Sequence, residues 1–202
     1  MKKLRDFIVE DKKEKKEETP KKYKFGCVML FLNPENWKSI EIDKDDLYIT
    51  EDDNFGMEEE PHITALFGIH PEEVDSSTVI ETAMNNMGGQ VPIIIATEIS
   101  IFDNPDYDVL KYDVEVTPEL VSLNEALKKL PFTNDYPDYH PHITIAYLKK
   151  GLGRKYAKVL EEPKTDYPTH LVYSQPNDAG DGTDKKTVKL YVSKDAEKDA
   201  DI

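Results

Sequence analysis

The chain has 202 residues, of which 38% are hydrophobic and 33% charged, with a formal net charge of -15. That apolar share suffices for a real core, and the length suits one large domain or two small ones. Such an acidic excess favours solubility and opposes a broad surface for long nucleic acid, which needs many Lys/Arg–phosphate contacts; a small phosphate ligand in a locally basic cleft stays open.

Residues 1–22 are dominated by charge and are expected to form a flexible arm, or a docking tag for a protein partner. "YKFGCVMLFL" (23–32) reads as a strand, and its Cys27, the sole cysteine, is expected to be a buried apolar thiol. An acidic excursion follows, with a short strand at "DLYIT". "PHITALFGI" (61–69) is the next strand. "PEEVDSSTVIETAMNNMGG" predicts a helix with Glu72 and Glu73 in its first turn, stopped at Gly88-Gly89. "VPIIIATEISIFD" (91–103) and "YDVLKYDVEVT" (107–117) read as a hairpin around "DNPD". A helix over 117–130 has Thr117 as cap and Pro118 at its first position. The strands "HITIAYL" (142–148), "THLVYSQ" and "KTVKLYVSK" complete the core, and residues 194–202 form a frayed tail. The pattern predicts an α+β fold over 23–193, with two pseudo-symmetric lobes of antiparallel strands and outer helices. No apolar run approaches the ~20 residues of a membrane span, and the N-terminus lacks the ~7–15-residue apolar core of a signal peptide, so a cytoplasmic location is expected.

Pro-His-Ile-Thr occurs twice, at 61–64 and 141–144, each time at the head of an apolar strand. Strand side chains alternate, so His62 and Thr64 share one face and Ile63 takes the other; His142, Thr144 and Ile143 repeat this. If the two strands meet across a groove, two imidazoles and two hydroxyls converge. That set suits phosphodiester chemistry without a metal. With an ordinary pKa near ~6.5, one imidazole can be neutral and take a proton while the other, protonated, gives one up; either can be the base. The threonine hydroxyls can donate to non-bridging phosphate oxygens. Metal binding competes, through His140 and His142 with His62 or His70, but no ligand spacing such as H-E-x-x-H accompanies them. No metal and no cofactor are expected. No G-x-S-x-G or phosphate-binding Gly-Lys loop occurs.

"KKGLGRK" (149–155) is the basic island of the core, offering Lys149, Lys150, Arg154 or Lys155 to a phosphate. Tyr136, Tyr139 and Trp37 are candidates for stacking on a base. Phe67 and Tyr147, five positions after their histidines, face away in a regular strand and are expected in the core.

Paired H-x-T motifs on strands of a two-lobed α+β chain resemble the two-histidine (2H) phosphoesterase superfamily over about residues 23–193. The block "FTNDYPDYHPHITIAY" looks most like the phage nucleases that destroy cyclic-oligonucleotide alarm signals (the anti-CBASS group). The resemblance implies His62 and His142 as catalytic histidines, seconded by Thr64 and Thr144. It also implies metal-independent cleavage of 3'-5' linkages in cyclic di- or trinucleotides, with a ribose 2'-hydroxyl as nucleophile, inside a bacterial host cell. The arm of 1–22 and the acidic insertion of 41–60 depart from the family core. Two other readings stay open: opening of 2',3'-cyclic phosphates on RNA ends, and a non-catalytic nucleotide-binding module.

Overall fold

The computed structural model describes residues 24–37, 40–50, 55–133 and 138–191. The expected arm and tail lie outside the described residues. Eight strands form two four-stranded antiparallel sheets: β1 (Gly26–Phe31), β2 (His62–Ile69), β3 (Ile94–Asp103), β4 (Tyr107–Val114), β5 (His142–Lys149), β6 (Lys158–Asp166), β7 (His170–Pro176) and β8 (Thr183–Lys189). Sheet A has the order β2-β1-β7-β8, and sheet B the order β5-β4-β3-β6. The lobes are therefore not the two halves of the chain. The first and last strand pairs make sheet A, and the four middle strands make sheet B.

The helices behave as their capping chemistry demands. A short helix α1 (Pro34–Trp37) follows β1. Helix α2 (Ser76–Met87) begins later than the acidic "PEE" predicts. Asp75 is its N-cap, accepting from the Thr78 N–H at 3.0 Å, and Glu72 and Glu73 lie ahead of it. It ends where Gly88 adopts φ 56°, a left-handed conformation that glycine takes without a Cβ penalty. Helix α3 (Pro118–Leu127) starts at the expected Thr117 cap, with Pro118 in its first turn. Leu120, Leu123 and Leu127 on α3 join Val79 and Ala83 on α2 and the inner faces of both sheets in one core.

Strand β6 is absent from the sequence reading. "KVLEEPKTD" carries five charges and a proline, and it is mostly exposed. It is an edge strand, where one row of backbone groups faces solvent and proline is tolerated.

The edges formed by β2 and β5 are covered reciprocally. Residues 55–58, just before β2, pair with β5: Tyr147 N–H donates to the Gly56 carbonyl at 2.7 Å, and Glu58 N–H to that of Ile145 at 2.9 Å. Residues 131–133, ahead of β5, pair with β2: Thr133 N–H donates to the Gly68 carbonyl at 2.8 Å, and His70 N–H to that of Pro131 at 3.0 Å. Each motif strand is thus held by the segment leading into the other, and β2 and β5 lie in contact where the sheets meet.

Candidate active site

The two Pro-His-Ile-Thr segments are built alike. Ile63 and Ile143 are 0% and 1% exposed and anchor each strand head in the core. His62, Thr64, His142 and Thr144 are half-buried on the opposite face, as alternation requires. The prolines explain the rest of the motif. A residue before proline is driven to extended backbone, and proline fixes its own φ, so two constrained residues precede each imidazole. The carbonyl two residues back then meets the ring: His62 Nδ1 lies 2.8 Å from the Glu60 oxygen, and His142 Nδ1 lies 3.0 Å from the His140 oxygen. A carbonyl only accepts, so each Nδ1 carries the proton, and in the neutral ring Nε2 is left as the lone-pair nitrogen. Each proline carbonyl in turn accepts a backbone bond, from Leu32 at 2.9 Å and Val114 at 3.2 Å.

A phenylalanine supports each imidazole. Phe31 stacks on His62 at 5.2 Å and 22°, and Phe102 meets His142 edge-on at 4.9 Å and 89°. A lysine lies over each phenylalanine: Lys185 at 5.8 Å from the Phe31 centroid, Lys111 at 4.4 Å from that of Phe102.

The surroundings then diverge. Lys111 is 4% exposed; its ammonium donates to Ser100 Oγ at 2.7 Å and pairs with Asp113, which also receives a bond from the Ser100 hydroxyl. Burial, with the charges of Lys111 and His62, pushes the His142 pKa below its ordinary value, against the opposing pull of the His140 carbonyl and Asp113. In sheet A, Thr64 bonds to the thiol of Cys27, which burial raises to about 11. That thiol is neutral at physiological pH and is no nucleophile.

Both motif strands carry a β-bulge at the same place. Met29 pairs Thr64 and Val28 pairs Leu66, leaving Ala65 as the extra residue; Lys111 pairs Thr144 and Leu110 pairs Ala146, leaving Ile145. The freed carbonyls are satisfied separately, that of Ala65 by the Asn124 side chain at 2.7 Å and that of Ile145 by Glu58 N–H. The bulge shifts the phase by one. Phe67, opposite Cys27, and Tyr147, opposite Val109, therefore return to the histidine face instead of entering the core. Phe67 is 48% exposed, and Tyr147 packs with Phe55 and Tyr107.

The expected substrate contacts are engaged in other ways. Trp37 is 4% exposed, donates from Nε1 to Asp166 at 2.8 Å and packs on Tyr112, so it is a core residue. Tyr139 packs against the core with its hydroxyl buried, which raises its pKa. Tyr136 lies outside the described residues. Lys149 ends β5, seven positions and so about 23 Å along the strand from His142. Its ammonium donates to the Asp45 carbonyl at 2.6 Å. Lys150 is engaged by Asp103, Arg154 lies 3.6 Å from the same carboxylate, and Lys155 lies 2.5 Å from Asp46. This basic island is neutralised locally, at the far end of β5. Among the described residues, one cluster has metal-ligand spacing, His70 with Glu72 and Glu73; its exposed His70–Glu73 pair and the His70 bond to Thr133 account for it. No helix of the described residues is long and apolar enough to cross a membrane.

Phe31, Phe102, Lys111, Asp113 and Ser100 escaped the sequence reading, because they lie on neighbouring strands and only register brings them to the histidines. Lys111 left one trace, a charge inside the apolar run "VLKYDV".

Fold and site together define an α+β chain of two antiparallel sheets joined at twin His-x-Thr strands. No protein-family model and no curated protein match the chain. Among solved structures it is similar to Kluyveromyces marxianus Usb1, at 10% identity over 85% of this chain and 100% of that one, with a TM-score of 0.49. It is also similar to E. coli LigT in apo form, at 13% identity over 83% and 95% with a TM-score of 0.47. The complex of E. coli LigT with 3'-AMP matches at 15% identity over 85% and 99%, with a TM-score of 0.46. At these scores the likenesses carry no weight for function, which rests on the residues.

Proposed function

We propose that the chain is a metal-independent phosphodiesterase of the 2H type, acting on small cyclic oligonucleotides by His/His acid–base catalysis. The observation that carries this reading is the twin tautomer lock: Glu60 and His140 carbonyls occupy both Nδ1 atoms, leaving an Nε2 on each ring for proton transfer. His142, whose cation is disfavoured, is the base that takes the proton of the attacking 2'-hydroxyl. His62 then protonates the departing 5'-oxygen, and Thr64 and Thr144 donate to the non-bridging oxygens, where charge accumulates. The Phe31 and Phe102 contacts hold the ring planes. A cyclic-nucleotide substrate would make the protein an antagonist of host antiviral signalling of the CBASS kind; the block before His142 and the net charge of -15 favour it over long RNA.

Incubation with cyclic di- and trinucleotides in EDTA, beside His62→Ala and His142→Ala, tests the proposal. Cleavage that needs a metal, or that survives loss of both histidines, overturns it. Faster opening of 2',3'-cyclic phosphates on RNA ends would transfer the same chemistry to that substrate, and tight binding with recovery of unchanged ligand would leave a binding module.

A further inference from the structure

The outward faces of the two sheets differ in charge. In sheet A the core takes Leu30, Ile63, Leu171 and Leu190, so pairing assigns the alternate residues to the histidine face. His62, Phe31, His170 and Lys189 form one row across all four strands, and Lys185 lies further along β8 opposite Ser174. This face carries two histidines and two lysines and no carboxylate among its strand positions, in a chain with 41 Asp and Glu. The matching face of sheet B is different: Lys111 is paired with Asp113, and Glu98 stands beside them.

The sheet A cations are lightly engaged. Lys185 is half-exposed, and its nearest acid is Glu60 in the loop before β2, at 3.5 Å. Lys189 is exposed, with its ammonium 5.3 Å from the Tyr191 ring. His170 Nδ1 lies 3.0 Å from Thr169 Oγ1, and its Nε2 has no partner among the described residues. With neighbouring strands about 4.8 Å apart, His170 stands roughly 10 Å and Lys189 roughly 14 Å from His62 across the sheet.

We propose that this face is a second phosphate subsite, where Lys185 and Lys189 supply charge and His170 a hydrogen bond to a phosphodiester next to the scissile one. The inference rests on the phosphodiesterase reading and narrows its substrate to nucleotides with at least two phosphodiesters, the cyclic di- and trinucleotides. A ligand with a single phosphate between His62 and His142 leaves this face unused.

Calorimetric titration of the full chain tests it, with two hydrolysis-resistant phosphorothioates as probes: a cyclic dinucleotide and a dinucleoside monophosphate. The variant Lys189→Ala, which leaves Lys185 over Phe31 untouched, is expected to bind the cyclic ligand about tenfold more weakly. Its slope of log affinity against log salt should fall by about 0.7, the value for one phosphate contact on a single strand. Affinity for the one-phosphate ligand should change less than twofold. Lys186→Ala, on the other face of β8, is the control and should match the parent. Equal losses on both ligands, no loss, or no binding of the cyclic dinucleotide by the parent chain overturns the subsite. Cleavage is not the readout, so the two readings fail separately. The binding pattern without turnover sinks the catalytic reading alone, and turnover without the pattern sinks only the subsite.

Discussion

His62 and His142 are held by the same devices: a buried isoleucine, a carbonyl two residues back, a phenylalanine against the ring and a lysine over that phenylalanine. What differs is how the lysine is held. Lys111 comes from the strand next to His142, is buried and is locked by Asp113 and Ser100, whereas Lys185 comes from the far edge of sheet A and is half-exposed. A fixed, buried cation acts on its neighbour in a low-dielectric setting, while an exposed one is screened and available to a ligand. Similar scaffolds thus give one half an imidazole whose cation is disfavoured and the other a basic wall, and the comparison can be broken at several points.

The largest effect should come from the imidazoles. His62→Ala and His142→Ala are each expected to lower kcat by about 10²–10⁴-fold, measured by chromatography of a cyclic dinucleotide digest. A variant that keeps parental turnover would remove its half from the mechanism. Next comes Lys111→Met, which takes away a cation that depresses His142. The acid limb of kcat/KM, set by neutral His142, starts below the ordinary 6.5 and should move up towards it, though burial persists. The same change should cost about 2 kcal/mol in urea unfolding, below the full penalty for breaking a buried pair because Asp113 is 33% exposed. An unmoved pH profile would mean that Lys111 only fills space. Asn124→Ala strands the bulge carbonyl of Ala65 and should cost about 1–3 kcal/mol, read as a lowered urea midpoint. The smallest effect is on pH stability. The folded chain resists protonating His142, so the unfolded chain binds more protons between the lowered pKa and 6.5. Stability from this group is full above 6.5 and falls as pH drops through that window; for His142→Gln this part of the pH dependence should vanish from the melting curve.

The repeated tetrapeptide made the placement of four side chains of the candidate site legible. His62, Thr64, His142 and Thr144 share the faces that simple alternation gives them, and the caps at Thr117 and Gly88 fall where local chemistry puts them. Phe67 and Tyr147 were read into the core because a regular strand puts odd spacings on opposite faces; the bulges at Ala65 and Ile145 reversed both, and no residue type marks them. Trp37 and Tyr139 were candidates for stacking on a base although a large aromatic more often packs, and packing made them core. Strand β6 stayed hidden because an exposed edge asks nothing apolar of its sequence.

By itself, then, the sequence determined the α+β class, the period-two faces of the motif strands and the proline-imposed backbone ahead of each histidine, all of which arise from torsions and contacts within a few residues. Tertiary structure alone decided that the outer strand pairs share one sheet, that Lys111 lies over the phenylalanine that meets His142, and that the face carrying Lys185 and Lys189 borders His62. Those depend on register between strands far apart in the chain, which is set by the burial of whole faces and not by any local run of residues.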